Sequence, residues 1–228
     1  IPATVPVHES EGFQYTPEAI EARITEKTRG ILINSPSNPT GKVYSEAEYR
    51  ELAEVLIEFP KVMIVCDDIY EHIYWGEKPF RTLLNACPEL SDRTVIINGV
   101  SKAYAMTGWR IGYAAGPQDM MTAMIKVQGQ STSGACSISQ AAAVAALEGS
   151  QDCVTQMRVE YKRRYEYLLD ALNAIDGMVA REFNQKSDLG FYLNEITDVA
   201  ADTICFLPFL LLSGVSARIG VVTLWLAV

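Results

Sequence analysis

Residues 94–116 read TVIINGVSKAYAMTGWRIGYAAG. Thr94 to Ile97 is a short β-branched, apolar run of the kind buried in a sheet, and Ile111 to Ala115 is a second one. Asn98, Ser101 and Lys102 follow directly on the first run, and Arg110 stands on a glycine-bracketed turn eight residues beyond Lys102. A polar cluster at the end of a buried strand is where an open α/β sheet places its ligands.

The same pattern repeats upstream. Ile31 to Ser35 (ILINS) is a short apolar run that ends in the Pro- and Gly-rich turn Ser35 to Gly41. Ser45 followed by Glu48 predicts a capping box, and Tyr49, Leu52, Leu56 and Phe59 then recur at helical spacing. Val62 to Cys66 (VMIVC) is the next strand. Near-continuous apolar strands separated by helices predict an α/β fold with a largely parallel sheet covered on both faces.

Downstream the pattern turns helical. Ile138 to Glu148 is alanine-rich, and from Gln151 an amphipathic segment sets Val154, Met157, Tyr161, Leu168, Leu172 and Ile175 on one stripe, with Gly177 as the expected stop. A boundary at Gly149 and Ser150 predicts a large domain over 1–150 and a smaller one over 151–228, entered by a long helix.

With 228 residues, 49% of them hydrophobic and 21% charged, the chain can bury a sizeable core. A net charge of -9 argues against nucleic acid as a partner, because neutralising phosphates needs clustered Lys and Arg. The basic stripe from Arg158 to Arg164 reads as the wet face of a helix. Cysteines at 66, 87, 136, 153 and 205 are odd in number and lack C-x-x-C spacing, so reduced thiols in the cytoplasm are expected rather than disulfides. His8 and His72 have no ligand spacing, and no metal site is expected. The opening IPATVPVHESEGF carries neither a signal-peptide pattern nor a starting methionine and reads as the interior of a longer protein.

The strand ends carry one consistent chemistry. After the first run comes Asn38, after the second Asp67 and Tyr70, and after the third Lys102, with Arg110 beyond. A lysine amine can form a Schiff base with an aldehyde cofactor, and an arginine fork can hold its phosphate, which points to pyridoxal 5'-phosphate. A carboxylate such as Asp67 keeps the pyridine nitrogen protonated and the ring an electron sink. Tyr70 and Asn38 suit the ring's phenolate oxygen, and Lys102, displaced by a substrate amine, becomes the base that moves a proton at the α-carbon. Taken singly, each residue has an ordinary reading as a turn former, a packing tyrosine or a surface charge.

Together, SNPTG (37–41), CDDIYEHIYWG (66–76) and SKAYAMTGWRIGYAAG (101–116) resemble the signature of class I aminotransferases of the pyridoxal-phosphate fold type I. QGQSTSGACSISQAAAVAALEG (128–149) is most similar to bacterial aspartate aminotransferases, some of which also act on prephenate. The resemblance runs to GFYLNEI (190–196), which looks like a strand of the small domain. It implies a large domain of that fold with a partial, smaller α+β domain after it. It also implies Lys102 as the Schiff-base lysine, Asp67 on the pyridine nitrogen, Tyr70 on the phenolate oxygen, Arg110 on the phosphate, and Asn38 on both the phenolate oxygen and the substrate carboxylate. Asp68 stands where the family usually has Glu, a change expected to be harmless.

Two departures accompany the resemblance. The family's phosphate-cradling loop and ring-stacking aromatic lie upstream of Ile1, and the apolar tail Thr203 to Val228 does not read as the family's arginine-bearing strand. Pro208, Ser213, Gly214 and Arg218 interrupt that tail, so no membrane span is expected, and a frame-shifted end of a truncated gene is the expectation. The implied function is transamination between aspartate and 2-oxoglutarate by a ping-pong cycle. The implied partners are an amino acid, a 2-oxo acid and a second copy in a homodimer, and the chain alone is expected to be inactive. A prephenate or aromatic aminotransferase, a β-lyase and a non-catalytic pyridoxal-phosphate-binding regulator remain open.

Overall fold

The computed structural model describes residues 2–183, with side chains to residue 172. The chain divides into two compact units, the first ending at Tyr161 and the second beginning at Lys162. In the first, a short helix α1 (Pro17–Glu21) precedes strand β1 (Gly30–Asn34), helix α2 (Glu46–Glu58) and strand β2 (Met63–Asp67). The helical turn α3 (Leu83–Ala86) leads to β3 (Thr94–Gly99) and β4 (Gly112–Ala115), followed by α4 (Gln118–Ser131) and α5 (Ser137–Glu148). The long helix α6 (Asp152–Phe183) comes last.

The strands form one sheet in the order β1-β2-β3-β4. β1, β2 and β3 run parallel, in a register that sets Asn34 beside Asp67 and Asp67 beside Ile97. β4 returns antiparallel to β3. The pair is tight at its end: a Cβ at Gly99 would stand 3.1 Å from the Gly112 Cα, so the two glycines let the backbones approach.

Helix α2 starts at the capping box anticipated for it, with Ser45 Oγ accepting from the Glu48 N–H and the Glu48 carboxylate accepting from the Ser45 N–H. Its apolar stripe, Tyr49, Leu52 and Leu56, packs with Ile33, Ile64 and Cys66 on one face of the sheet, and all six are buried. Arg93 locks the far end of α2: its guanidinium donates to the carbonyls of Leu56, Phe59 and Val62 at 2.7, 2.8 and 2.9 Å. Leu56 lies in the last turn of α2, and Phe59 and Val62 in the loop that follows it, so one guanidinium ties the end of the helix to the start of β2.

The opposite face differs from the two-sided cover expected of it. Leu32 is 64% exposed and Ile97 37%, whereas Val95 on the same face is 1% exposed, so among the described residues this face is open at Leu32 and Ile97 and covered at Val95. Asn34 and Asp67 project on that open face, because side chains alternate along a strand and pair across the register.

The strands fall within one or two residues of their apolar runs, with β2 shifted by one to end at Asp67 and β3 running on to Gly99. Helix α6 runs through Gly177 to Phe183, so that glycine is not the stop expected of it. One glycine costs a helix only ~1 kcal/mol, which a long run of good helix formers outweighs. The second unit is described through this helix, where Lys162 and Glu166 pair at 3.7 Å one turn apart. GFYLNEI (190–196) and the tail 203–228 lie outside the described residues.

Candidate active site

Three parallel strands deliver their carboxyl ends to one edge of the sheet. Asn38 follows β1, Asp67 ends β2 with Tyr70 just beyond, and Lys102 follows β3. The structure brings Asn38, Tyr70 and Lys102 into contact. The Asn38 side-chain amide donates to the Tyr70 hydroxyl at 3.4 Å, and Lys102 Nζ stands 5.4 Å from the centre of the Tyr70 ring, within reach of a cation–π attraction.

Asn34, which the sequence reading did not single out, ties the first two loops together. Its Oδ1 accepts from the Asn38 backbone N–H at 3.0 Å while its Nδ2 donates to the Asp67 carbonyl at 2.9 Å. One side chain thus fixes the Asn38 loop to the end of β2. The buried Ser35 accepts from the Tyr44 N–H at 3.3 Å and holds the other end of the same loop. Asp67 Oδ1 accepts from the Ile69 N–H at 3.3 Å, an Asx turn that swings Tyr70 back toward Asn38.

Lys102 sits half-buried on a tight turn. The N–H groups of Tyr104, Ala105 and Met106 donate back to Val100, Lys102 and Ser101 at 3.3, 3.3 and 3.1 Å. Ala105 closes the turn at φ +53, a left-handed conformation rare for a residue with a side chain. Arg110 is also left-handed, at φ +51, and is exposed, with its guanidinium donating to the Thr107 carbonyl at 3.0 Å. It thus stands on the next turn rather than in contact with the Asn38–Tyr70–Lys102 group.

The electrostatics turn on a residue expected to be inconsequential. Asp68 is 2% exposed, and its Oδ2 has no hydrogen-bond partner. Burial first, then the nearby carboxylates of Glu71 and Asp67, push its carboxyl up to about 7. Glu71 is itself engaged, accepting from the Asn98 side-chain amide at 2.6 Å. Asn98 Oδ1 in turn accepts from the Gly99 N–H at 2.7 Å, bracing the end of β3 from which the Lys102 turn departs.

The site therefore offers three polar donors in contact (an amide, a phenol and an ammonium) and a carboxylate at the same sheet edge. The donors match an aldehyde that carries an acidic ring oxygen, and the carboxylate matches a ring nitrogen held protonated, so these residues fit pyridoxal phosphate. Among the described residues no group of three His, Cys, Asp or Glu side chains is arranged to hold a metal ion. No helix of the described residues is long and apolar enough to cross a membrane.

An α/β sheet with a lysine, a phenol, an amide and a carboxylate at its carboxyl edge defines the class, and comparison with known proteins agrees. Residues 2–198 match the family described as aminotransferase class I and II, and the chain belongs to that family. Its relatives include the aspartate aminotransferase of Rhizobium meliloti (strain 1021), 51% identical over 180 residues, which are 79% of this chain and 44% of that protein. The aspartate/prephenate aminotransferase of Nitrosomonas europaea is 51% identical over 168 residues, 74% of this chain and 42% of the relative.

Among solved structures, the Rhizobium meliloti aspartate aminotransferase superposes with a TM-score of 0.71 at 51% identity, covering 73% of this chain and 42% of that one. The aromatic aminotransferase of Pyrococcus horikoshii also gives 0.71, at 32% identity, over 76% and 46% of the two chains. The chain thus spans under half the length of these proteins, and its fold is that of the corresponding part of an aminotransferase.

Proposed function

We propose that the native polypeptide carrying this chain is a pyridoxal-phosphate-dependent aminotransferase that exchanges the amino group of aspartate with 2-oxoglutarate by a ping-pong cycle. The observation that carries this reading is the contact set at the sheet edge, with Lys102 Nζ 5.4 Å from the Tyr70 ring centre and the Tyr70 hydroxyl receiving the Asn38 amide. Family membership and relatives named aspartate aminotransferase support it.

Bound at this edge, pyridoxal phosphate supplies an aldehyde and an electron-withdrawing ring that stabilises negative charge at the substrate α-carbon. Lys102 would hold the aldehyde through its amine and would serve as the base that moves a proton at the substrate α-carbon. The Tyr70 oxygen accepts from Asn38, so its own proton serves a second partner, the ring's phenolate oxygen. Asn38 shares that oxygen and also orients the substrate carboxylate. Asp67 keeps the pyridine nitrogen protonated, and Arg110, exposed on the turn beyond Lys102, pairs with phosphate through its planar fork.

Prephenate as a second amino acceptor is favoured by the likeness to the aspartate/prephenate aminotransferase of Nitrosomonas europaea. The proposal includes a cytoplasmic homodimer acting in amino-acid metabolism, and a smaller domain beginning after Ser150.

The test uses the native polypeptide loaded with pyridoxal phosphate. Its visible absorbance should fall on addition of aspartate and return with 2-oxoglutarate. Absence of the absorbance, or release of ammonia with no return, would sink the reading.

A further inference from the structure

The turn that carries Lys102 holds a conformation its own sequence does not favour. Ala105 is left-handed at φ +53, and a strained residue of this kind persists only where its surroundings over-determine it. Two anchors lie beside it in the chain. Ala103 is 1% exposed and packs into the core, while the Tyr104 hydroxyl donates to Gln151 Oε1 at 2.7 Å across a sequence separation of 47 residues.

Gln151 is a well-fixed acceptor. Its Nε2 donates to the carbonyls of Gly149, Ala146 and Leu147 at 2.8, 3.1 and 3.4 Å, satisfying the free carbonyls where α5 ends. One amide therefore caps α5 with its nitrogen and receives the Tyr104 phenol with its oxygen.

We propose that Tyr104 is a positioning residue for Lys102, tying the lysine-bearing turn to the capped end of α5 through Gln151. The importance of that turn rests on Lys102 being the cofactor lysine, as proposed above. The phenol does not act on the reacting atoms. It limits how often the turn opens, and with it the fraction of time the Lys102 amine is aligned for proton transfer.

The test uses the native polypeptide with pyridoxal phosphate bound, and hydrogen exchange read at the amides of Tyr104, Ala105 and Met106. Y104F removes only the hydroxyl and should speed exchange at these amides about 2- to 10-fold, the range expected for one hydrogen bond of ordinary net strength. Exchange at the Gly149 amide should stay unchanged. Q151A should speed both places, and the double variant should be no faster at the turn than Y104F alone. Q151E retains an acceptor for the phenol but loses the donors to α5, so it should keep the turn slow while freeing the end of α5. Turnover should follow the turn, with kcat falling in Y104F and Q151A and KM for aspartate staying within about twofold.

Unchanged exchange in Y104F, or additive effects in the double variant, would overturn the inference. Were Y104F not to fold, the contrast between Q151A and Q151E decides in its place: equal turn exchange in the two would overturn it. Borohydride reduction of the parent separates the two readings, since a missing pyridoxyl mass on Lys102 defeats the cofactor assignment and leaves the exchange result to judge the anchor.

Discussion

Asp67 and Asp68 leave the end of β2 on opposite faces of the sheet. Asp67 lies half-buried on the open face and accepts from the Ile69 N–H, whereas Asp68 turns into the core, 2% exposed, with Oδ2 unpartnered. Burial and two neighbouring carboxylates raise the Asp68 carboxyl from 3.8 to about 7. Two adjacent carboxylates oppose each other's ionisation, and burial places that cost on Asp68.

A pH dependence with a definite sign follows. The folded chain holds the Asp68 proton more tightly than the unfolded chain, so the stability this confers is fully present below the unfolded value of 3.8 and is lost as pH rises to about 7. The slope approaches about 1.4 kcal/mol lost per pH unit inside that window. D68N, neutral at every pH, should match the parent near pH 4 and exceed it near pH 8 by on the order of 2–4 kcal/mol. Denaturant unfolding of both proteins across this range checks it, and a stability difference independent of pH would refute it.

Asn34 should matter more than its place inside a strand suggests. N34A frees the exposed Asn38 N–H and removes one of two donors to the Asp67 carbonyl, which keeps the Ser35 N–H at 3.4 Å, so the stability cost is about 1 kcal/mol. The expected outcome is a modest loss of stability with a larger loss of cofactor affinity, roughly 10-fold, because the Asn38 loop loses its tie to β2. Titration of the apo protein with pyridoxal phosphate measures it, and unchanged affinity would show that the loop holds itself.

Much of this architecture can be read before any coordinates. The apolar runs at 31–35, 62–66, 94–97 and 111–115 are short, rich in β-branched residues and bounded by turn signals, which favours strands that pair in a sheet over helices. The direction of β4 needed one more consideration. A parallel return from β3 requires a crossover element, and the segment between Gly99 and Gly112 holds only the short helical turn Thr107–Trp109, so the chain comes back antiparallel. Asn38, Asp67, Tyr70 and Lys102 were legible because each follows an apolar run at the edge where ligands gather. Asn34 was not, since its two bonds depend on the parallel register that sets it beside Asp67. Asp68 was hidden for a related reason. Only the pleat decides which of two successive aspartates enters the core.

Arg93 offers a test of the fold apart from the site. It supplies three donors to the carbonyls of Leu56, Phe59 and Val62 from the 3-10 segment Pro88–Arg93, so it joins the end of α2 to the start of β3. R93A should cost about 3 kcal/mol, read as a fall of roughly 5–10 °C in Tm. R93K should lose most of the same stability, because a single ammonium cannot reproduce the fork. Both variants should retain cofactor affinity once folded. A Tm within about 1 °C of the parent would mean that water replaces the guanidinium at no cost.

Tyr70 joins two interactions that separate substitutions can resolve. Its hydroxyl accepts from Asn38 at 3.4 Å, and its ring face lies 5.4 Å from Lys102 Nζ. Y70F keeps the ring and loses the hydroxyl, so cofactor affinity should fall about 5- to 10-fold, the effect of one hydrogen bond. Y70A loses the ring as well, and a partly exposed cation–π contact adds about 0.5–1 kcal/mol, a further 2- to 5-fold. Spectrophotometric titration of the native polypeptide with pyridoxal phosphate gives both steps. Equal affinities for Y70F and Y70A would remove the ring from the account of Lys102, and an unimpaired Y70F would remove the hydroxyl from the account of Asn38.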